Sequence, residues 1–131
     1  MKKITFTMLA VVAVAVMPIV SVNAEEKVDH YEGKEINTVA QAKTVLVETS
    51  QKMADVLDDE QLDIAKMEQV HETSYTTEDA VAYLDKETKA NLKILAEKLE
   101  EVHLASEDHK ADLLRRNYVA YQAELAQYLA K

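Results

Sequence analysis

From Lys34 to Lys131 the chain contains neither glycine nor proline. Tight hairpins and strand boundaries draw on those two residues, so a stretch this long without them is poorly suited to β architectures and favours helices joined by polar turns. The only glycine is Gly33 and the only proline Pro18, and both precede the region where helical periodicity begins.

The first 24 residues have a different character. Lys2 and Lys3 form a basic start, an apolar run extends from Ile4 to Val22, and Val22-Asn23-Ala24 fits the small-residue pattern of a signal-peptidase site. The run is about long enough for a membrane anchor, but the Val-x-Ala site and Pro18 favour a cleaved signal peptide, residues 1–24, cut after Ala24. A periplasmic mature protein with no membrane contact after cleavage is therefore expected. Cleavage removes two lysines and no acid, so the net charge moves from −9 to −11 over the remaining 107 residues.

Such acidity disfavours nucleic acid, whose phosphates are neutralised by Lys and Arg. The absence of cysteine excludes disulfides, thiolate metal sites, iron–sulfur clusters and covalent haem attachment. A chain of this size suits one domain with one modest core.

Residues 25–37 carry charges, His30, Tyr31 and Gly33 without periodicity and read as an extended lead-in. Residues 38–131 read as a single helical domain. Thr38-Val-Ala-Gln41 has the form of a capping box, and Val39, Ala42, Leu46, Thr49, Met53 and Val56 follow at spacings of three and four, the seam of a helix ending near Leu57. Asp58 or Asp59 would cap the next helix. Val81, Leu84, Thr88, Leu92, Leu95, Leu99 and Val102 mark helix in the second half of Glu60 to Ala105, whereas Thr73-Ser-Tyr-Thr-Thr77 is a weak helix former. The last helix would start after Ser106 and bury Ala111, Leu114, Tyr118, Tyr121, Leu125 and Tyr128.

The fold class is therefore all-α, in one of two forms. One is a three-helix antiparallel arrangement with a long middle helix; the other is a four-helix up-down bundle if that helix breaks near residues 74–77. The lack of a strong stop signal favours the continuous helix, which would leave an exposed seam inviting a homodimer.

Histidines are the candidate chemical residues. On a continuous helix His71 and His103, 32 residues apart, would lie ~48 Å from each other at ~1.5 Å per residue, and a break near residue 75 would still keep them apart, so one chain is not expected to unite them. An antiparallel dimer could bring one chain's His71 towards the other's His103. His71 and His103 are the candidate metal ligands, with His109, Glu48 and Glu107 as possible neighbours, for a divalent ion such as Zn²⁺ or Cu²⁺. A half-buried His71 bonded to Tyr75 or a nearby carboxylate is the simpler account. His71-Glu-Thr-Ser-Tyr75 lacks the second histidine of the metalloprotease motif. No EF-hand spacing, phosphate loop or nucleophile–base pair is present, so neither a catalytic residue nor an enzyme is expected, and no resident cofactor is assigned beyond that divalent metal.

Three stretches, Asp29-His-Tyr-Glu-Gly-Lys34 with the Thr38 cap, Val70-His-Glu-Thr-Ser-Tyr-Thr-Thr-Glu-Asp-Ala80, and Leu99-Glu-Glu-Val-His-Leu-Ala-Ser-Glu107, resemble a group of small secreted proteins of Gram-negative bacteria known only as a domain of unknown function. The resemblance covers nearly all of the mature chain and implies a helical periplasmic protein, without an activity or ligand. His30, His71 and His103 fall inside these stretches. A Pro often follows Gly-Lys in that group, where Glu35 stands here.

The leading functional expectation is a non-enzymatic module that binds a protein partner or itself. The alternatives are a metal- or small-ligand-binding protein and a holdase-type chaperone.

Overall fold

Thr38 starts the first helix by local hydrogen bonding. Its hydroxyl accepts the Gln41 amide at 3.1 Å, and Gln41 Oε1 accepts the Asn37 amide at 3.0 Å, which meets two amides that a helix start leaves open. The structure is a computed structural model that describes residues 35–131. The signal peptide and residues 25–34 of the lead-in lie outside the described residues.

Four helices follow, α1 (Val39–Leu57), α2 (Ile64–Thr88), α3 (Lys93–Glu107) and α4 (Ala111–Leu129), and the described residues form no strand. The chain is all-helical. Helix α2 packs on both α1 and α3, and α4 packs on α3. Glu68 pairs with His109 and Glu78 with His103, so α2 and α3 run antiparallel. Helix α4 is tied back to α1: Tyr121 Oη lies 2.6 Å from Ser50 Oγ, the Tyr118 hydroxyl donates to the Ser50 carbonyl, and Arg115 donates to the carbonyls of Leu57 and, at 2.7 Å, Asp59.

The apolar stripes meet in one core that includes Leu46, Met53, Val70, Leu84, Leu99, Val102, Leu114 and Tyr121, all buried. Each large side chain so buried contributes roughly 1.5–3 kcal/mol. The tyrosine stripe of α4 lies where its spacing places it, with Tyr118 and Tyr121 buried and Tyr128 partly so.

The middle of the chain is neither one continuous helix nor broken near residues 74–77. Thr73, Ser74 and Thr77 stay helical because their hydroxyls bond back to the carbonyls of Gln69 (2.6 Å), His71 (2.6 Å) and Thr73 (2.9 Å), which satisfies their polar groups without leaving the helix. Thr77 Oγ1 also reaches Thr49 Oγ1 of α1 at 2.9 Å. The break falls after Thr88. Lys89 adopts a left-handed conformation with φ 51°, the Thr88 hydroxyl donates to the Leu84 carbonyl at 2.6 Å, and Asp85 Oδ1 accepts the Leu92 amide at 2.9 Å. Side chains build this turn in place of glycine and proline.

Two caps also differ from expectation. The N-cap of α2 is Asp63, whose side chain accepts the Lys66 amide at 2.9 Å, and not Asp58 or Asp59. Asp59 instead accepts from Lys66 Nζ at 2.7 Å and from the Gln61 amide at 3.0 Å, and these bonds, Lys66 foremost, hold its carboxyl below the usual range. Ser106 does not open the last helix. Helix α3 continues to Glu107, and buried Ser106 donates to the His103 carbonyl at 2.6 Å.

Burial pushes the Tyr118 hydroxyl up to about 12 and raises that of Tyr121 as well. A hydroxyl that resists ionisation in the folded state contributes stability below its unfolded value of ~10 and loses it as pH rises through the folded value. Denaturant titrations should therefore show stability falling between pH ~10 and pH ~12. Tyr118→Phe should reduce that alkaline loss while costing ~1 kcal/mol at neutral pH, through the lost bond to Ser50.

Candidate metal centre

Reversal of the chain at residues 89–92 lays α3 along α2 and brings one face of each helix together. The His71 and His103 rings stand 4.9 Å apart by centroid, and Tyr75 packs against both, at 5.2 Å from His71 and edge-on at 4.5 Å from His103. The expectation that one chain keeps His71 and His103 apart is overturned. That expectation assumed helix up to and beyond Thr88, whereas the fold-back brings positions distant along the sequence face to face.

His103 is buried at 8% exposure, and its Nδ1 lies 2.7 Å from Glu78 Oε1. Burial raises the Glu78 carboxyl above its ordinary value, opposed by His103 and reinforced by Glu100 beside it. His71 is met on its own helix, Nδ1 by Glu68 Oε2 at 3.4 Å and Nε2 by the Tyr75 hydroxyl at 3.2 Å. Glu68 also pairs with His109 Nε2, and these contacts, His109 first, hold the Glu68 carboxyl below its usual range. Burial, and then the charges of Glu107, Glu78, Glu100 and Glu68, push the Tyr75 hydroxyl up.

Two sets of donor atoms converge. His71, His103 and Glu107 each offer a ligand atom within 4.8 Å of the others, and so do Glu78, Glu100 and His103. The expected neighbour Glu107 thus joins the two histidines. His109 stands outside both sets and touches the cluster through Glu68. Glu48 is also outside them, on α1, where it lines a surface depression with Glu35, Gln41 and Thr44. The ring nitrogens of His71 are met by Glu68 and Tyr75 of its own helix.

Sequence reasoning missed Glu68 and Glu78. The available signal was the recurrence of Glu-x-x-His, as Glu68-Gln-Val-His71 and Glu100-Glu-Val-His103, a spacing that places both residues on one helix face. A cavity of about 400 Å³ opens beside the cluster, lined by Glu78 and Glu100 together with Val81, Leu92, Leu99 and others.

His109 carries the turn into α4. Its amide bonds to the Ser106 carbonyl at 3.1 Å and that of Lys110 to Ala105 at 3.0 Å, with His109 itself left-handed at φ 53°. This is the Schellman arrangement, with a histidine where glycine is usual.

These features define an all-helical protein with a histidine–carboxylate cluster between two antiparallel helices. The chain belongs to a family of unknown function, DUF6746, whose model matches residues 1–130. No curated protein and no solved structure matches it. No helix among the described residues is long and apolar enough to cross a membrane.

Both His109→Ala and His109→Gly remove the contact with Glu68, but only glycine relieves the left-handed backbone. His109→Gly should be more stable than His109→Ala by ~1 kcal/mol in urea unfolding.

Proposed function

We propose that the mature protein is a periplasmic binder of a divalent transition-metal ion, held by His71, His103 and Glu107. The observation that carries this reading is the convergence of two imidazoles and a carboxylate from two antiparallel helices, with ligand atoms within 4.8 Å of one another. Two nitrogens and an oxygen suit Zn²⁺ or Cu²⁺. With Nδ1 of His103 engaged by Glu78 at 2.7 Å, Nε2 is the nitrogen left for the ion, and a carboxylate behind a ligating imidazole fixes its tautomer and raises its basicity. The contacts of His71 are long, at 3.2 and 3.4 Å, so either nitrogen can be given up to an ion. All three donors stand on helices, which favours fixed geometry over a loop-borne site.

The periplasmic setting rests on the leader, residues 1–24, and the absence of cysteine suits that oxidising compartment. Self-association draws on exposed apolar side chains spread over three helices, Ile64, Ile94 and Val119. The seam that a continuous middle helix would expose is covered, since α2 and α3 fold back on each other and contribute Val70, Leu84, Leu99 and Val102 to the core.

Calorimetric titration of the apo mature chain with Zn²⁺ or Cu²⁺ tests the proposal. Saturable binding is expected, with thermal stabilisation of ~2.7 kcal/mol at a hundredfold excess over Kd. His71→Ala and His103→Ala should weaken binding at least tenfold while keeping the helical signal. Unchanged affinity in both variants would reject these ligands.

A further inference from the structure

The donor inventory of the α2–α3 seam exceeds what one ion needs. Helix α2 supplies Glu68, His71 and Glu78, and α3 supplies Glu100, His103 and Glu107. Of these, the donor atoms that converge are three carboxylates, Glu78, Glu100 and Glu107, and two imidazoles, whereas Glu68 is engaged by His109 and His71; helical bundles hold two ions with carboxylates and histidines projecting from facing helices. Here they come from two adjacent helices, not four.

Nor do the donors share one centre. One set is His71, His103 and Glu107; the other is Glu78, Glu100 and His103. Only His103 belongs to both. Its ring can serve both because imidazole carries two nitrogens on different edges, and Nδ1 already faces Glu78 at 2.7 Å.

Charge bears on the count. The ion pairs these carboxylates make are with histidines, Glu68 with His71 and His109 and Glu78 with His103. With neutral imidazoles, a single divalent ion leaves the three carboxylates of the two donor sets, Glu78, Glu100 and Glu107, with surplus negative charge. Half-buried Glu78 and exposed Glu100 bring their carboxylates close together, where two like charges disfavour each other. The cavity of about 400 Å³ that they line gives a second ion room to keep water ligands.

The geometry points to a dinuclear centre in which one divalent ion is held by His71, His103 and Glu107, and a second by Glu78, Glu100 and the other nitrogen of His103. The inference rests on the metal-binding reading of the same cluster. The second ion takes the place of the proton between Nδ1 and Glu78. That proton leaves to solvent, and the imidazolate so formed on His103 bridges the two ions. With metal–nitrogen bonds of ~2.1 Å, the ions stand roughly 6 Å apart.

Native mass spectrometry of the mature chain loaded with Zn²⁺ counts the ions, and the electron paramagnetic resonance of the Cu²⁺ form reports whether they are coupled. The expected result is two ions on the wild type, one on the Glu78→Gln/Glu100→Gln variant, one on His71→Ala and none on His103→Ala. The double-copper form should show the loss of signal of a bridged pair, and the Gln variant the full signal of an isolated ion. Glutamine preserves side-chain size, so a native helical spectrum for that variant keeps the count interpretable. A single ion on the wild type would overturn the dinuclear inference and leave the mononuclear reading standing; no ion would overturn both. Two ions undiminished by the Gln pair, or two ions without magnetic coupling, would equally overturn the bridged centre.

Discussion

Asp85 accepts the Leu92 amide while Lys89 turns left-handed, and this reversal lays α3 back along α2. Every feature of the candidate centre depends on it. Without the turn, His71 and His103 would lie on one long rod, tens of ångströms apart at ~1.5 Å per residue. With it, the rings stand 4.9 Å apart. The cost of a left-handed non-glycine residue, ~1–2 kcal/mol, is met locally by the Asp85 and Thr88 hydrogen bonds and more broadly by burial of Leu84, Leu92 and Leu95.

A second set of interactions makes the fold close. Tyr118, Tyr121 and Arg115 of α4 reach Ser50, Leu57 and Asp59 at α1 and the turn after it. The polar ends of the tyrosine stripe thereby become fasteners between the first and last helices. Between α2 and α1, the hydroxyl of Thr77 donates to that of Thr49, both weak helix formers. Residues that are poor for a helix taken alone serve its packing against a neighbour.

Helix content, the Thr38 cap and the buried stripe of α4 were legible in the sequence, because each depends on local spacing. The reversal was not. Leu84, Leu92, Leu95, Leu99 and Val102 keep a helical phase straight through the turn, since the stripe that α2 presents resumes in register on α3. Periodicity cannot detect a turn that preserves phase, and the side-chain caps at Asp85 and Thr88 are commonplace residue types. The same reversal decides the site. Residue type marks His71, His103 and Glu107 as donors, but distance along a single rod would separate the histidines. Glu78 carries no local signal, because its partner, His103, lies 25 residues away. Ser106 misled for a similar reason, since a hydroxyl that bonds back to His103 within a helix looks in sequence like a cap.

The cluster is therefore a product of tertiary folding: two helices of one antiparallel pair each contribute a histidine and carboxylates on the facing side. X-ray absorption at the zinc edge of the loaded mature protein tests this account most directly. It predicts a first shell of nitrogen and oxygen at ~2.0–2.1 Å, with the outer-shell scattering of two imidazole rings that disappears in His71→Ala/His103→Ala. A shell of oxygen ligands alone, unchanged in that variant, would contradict it.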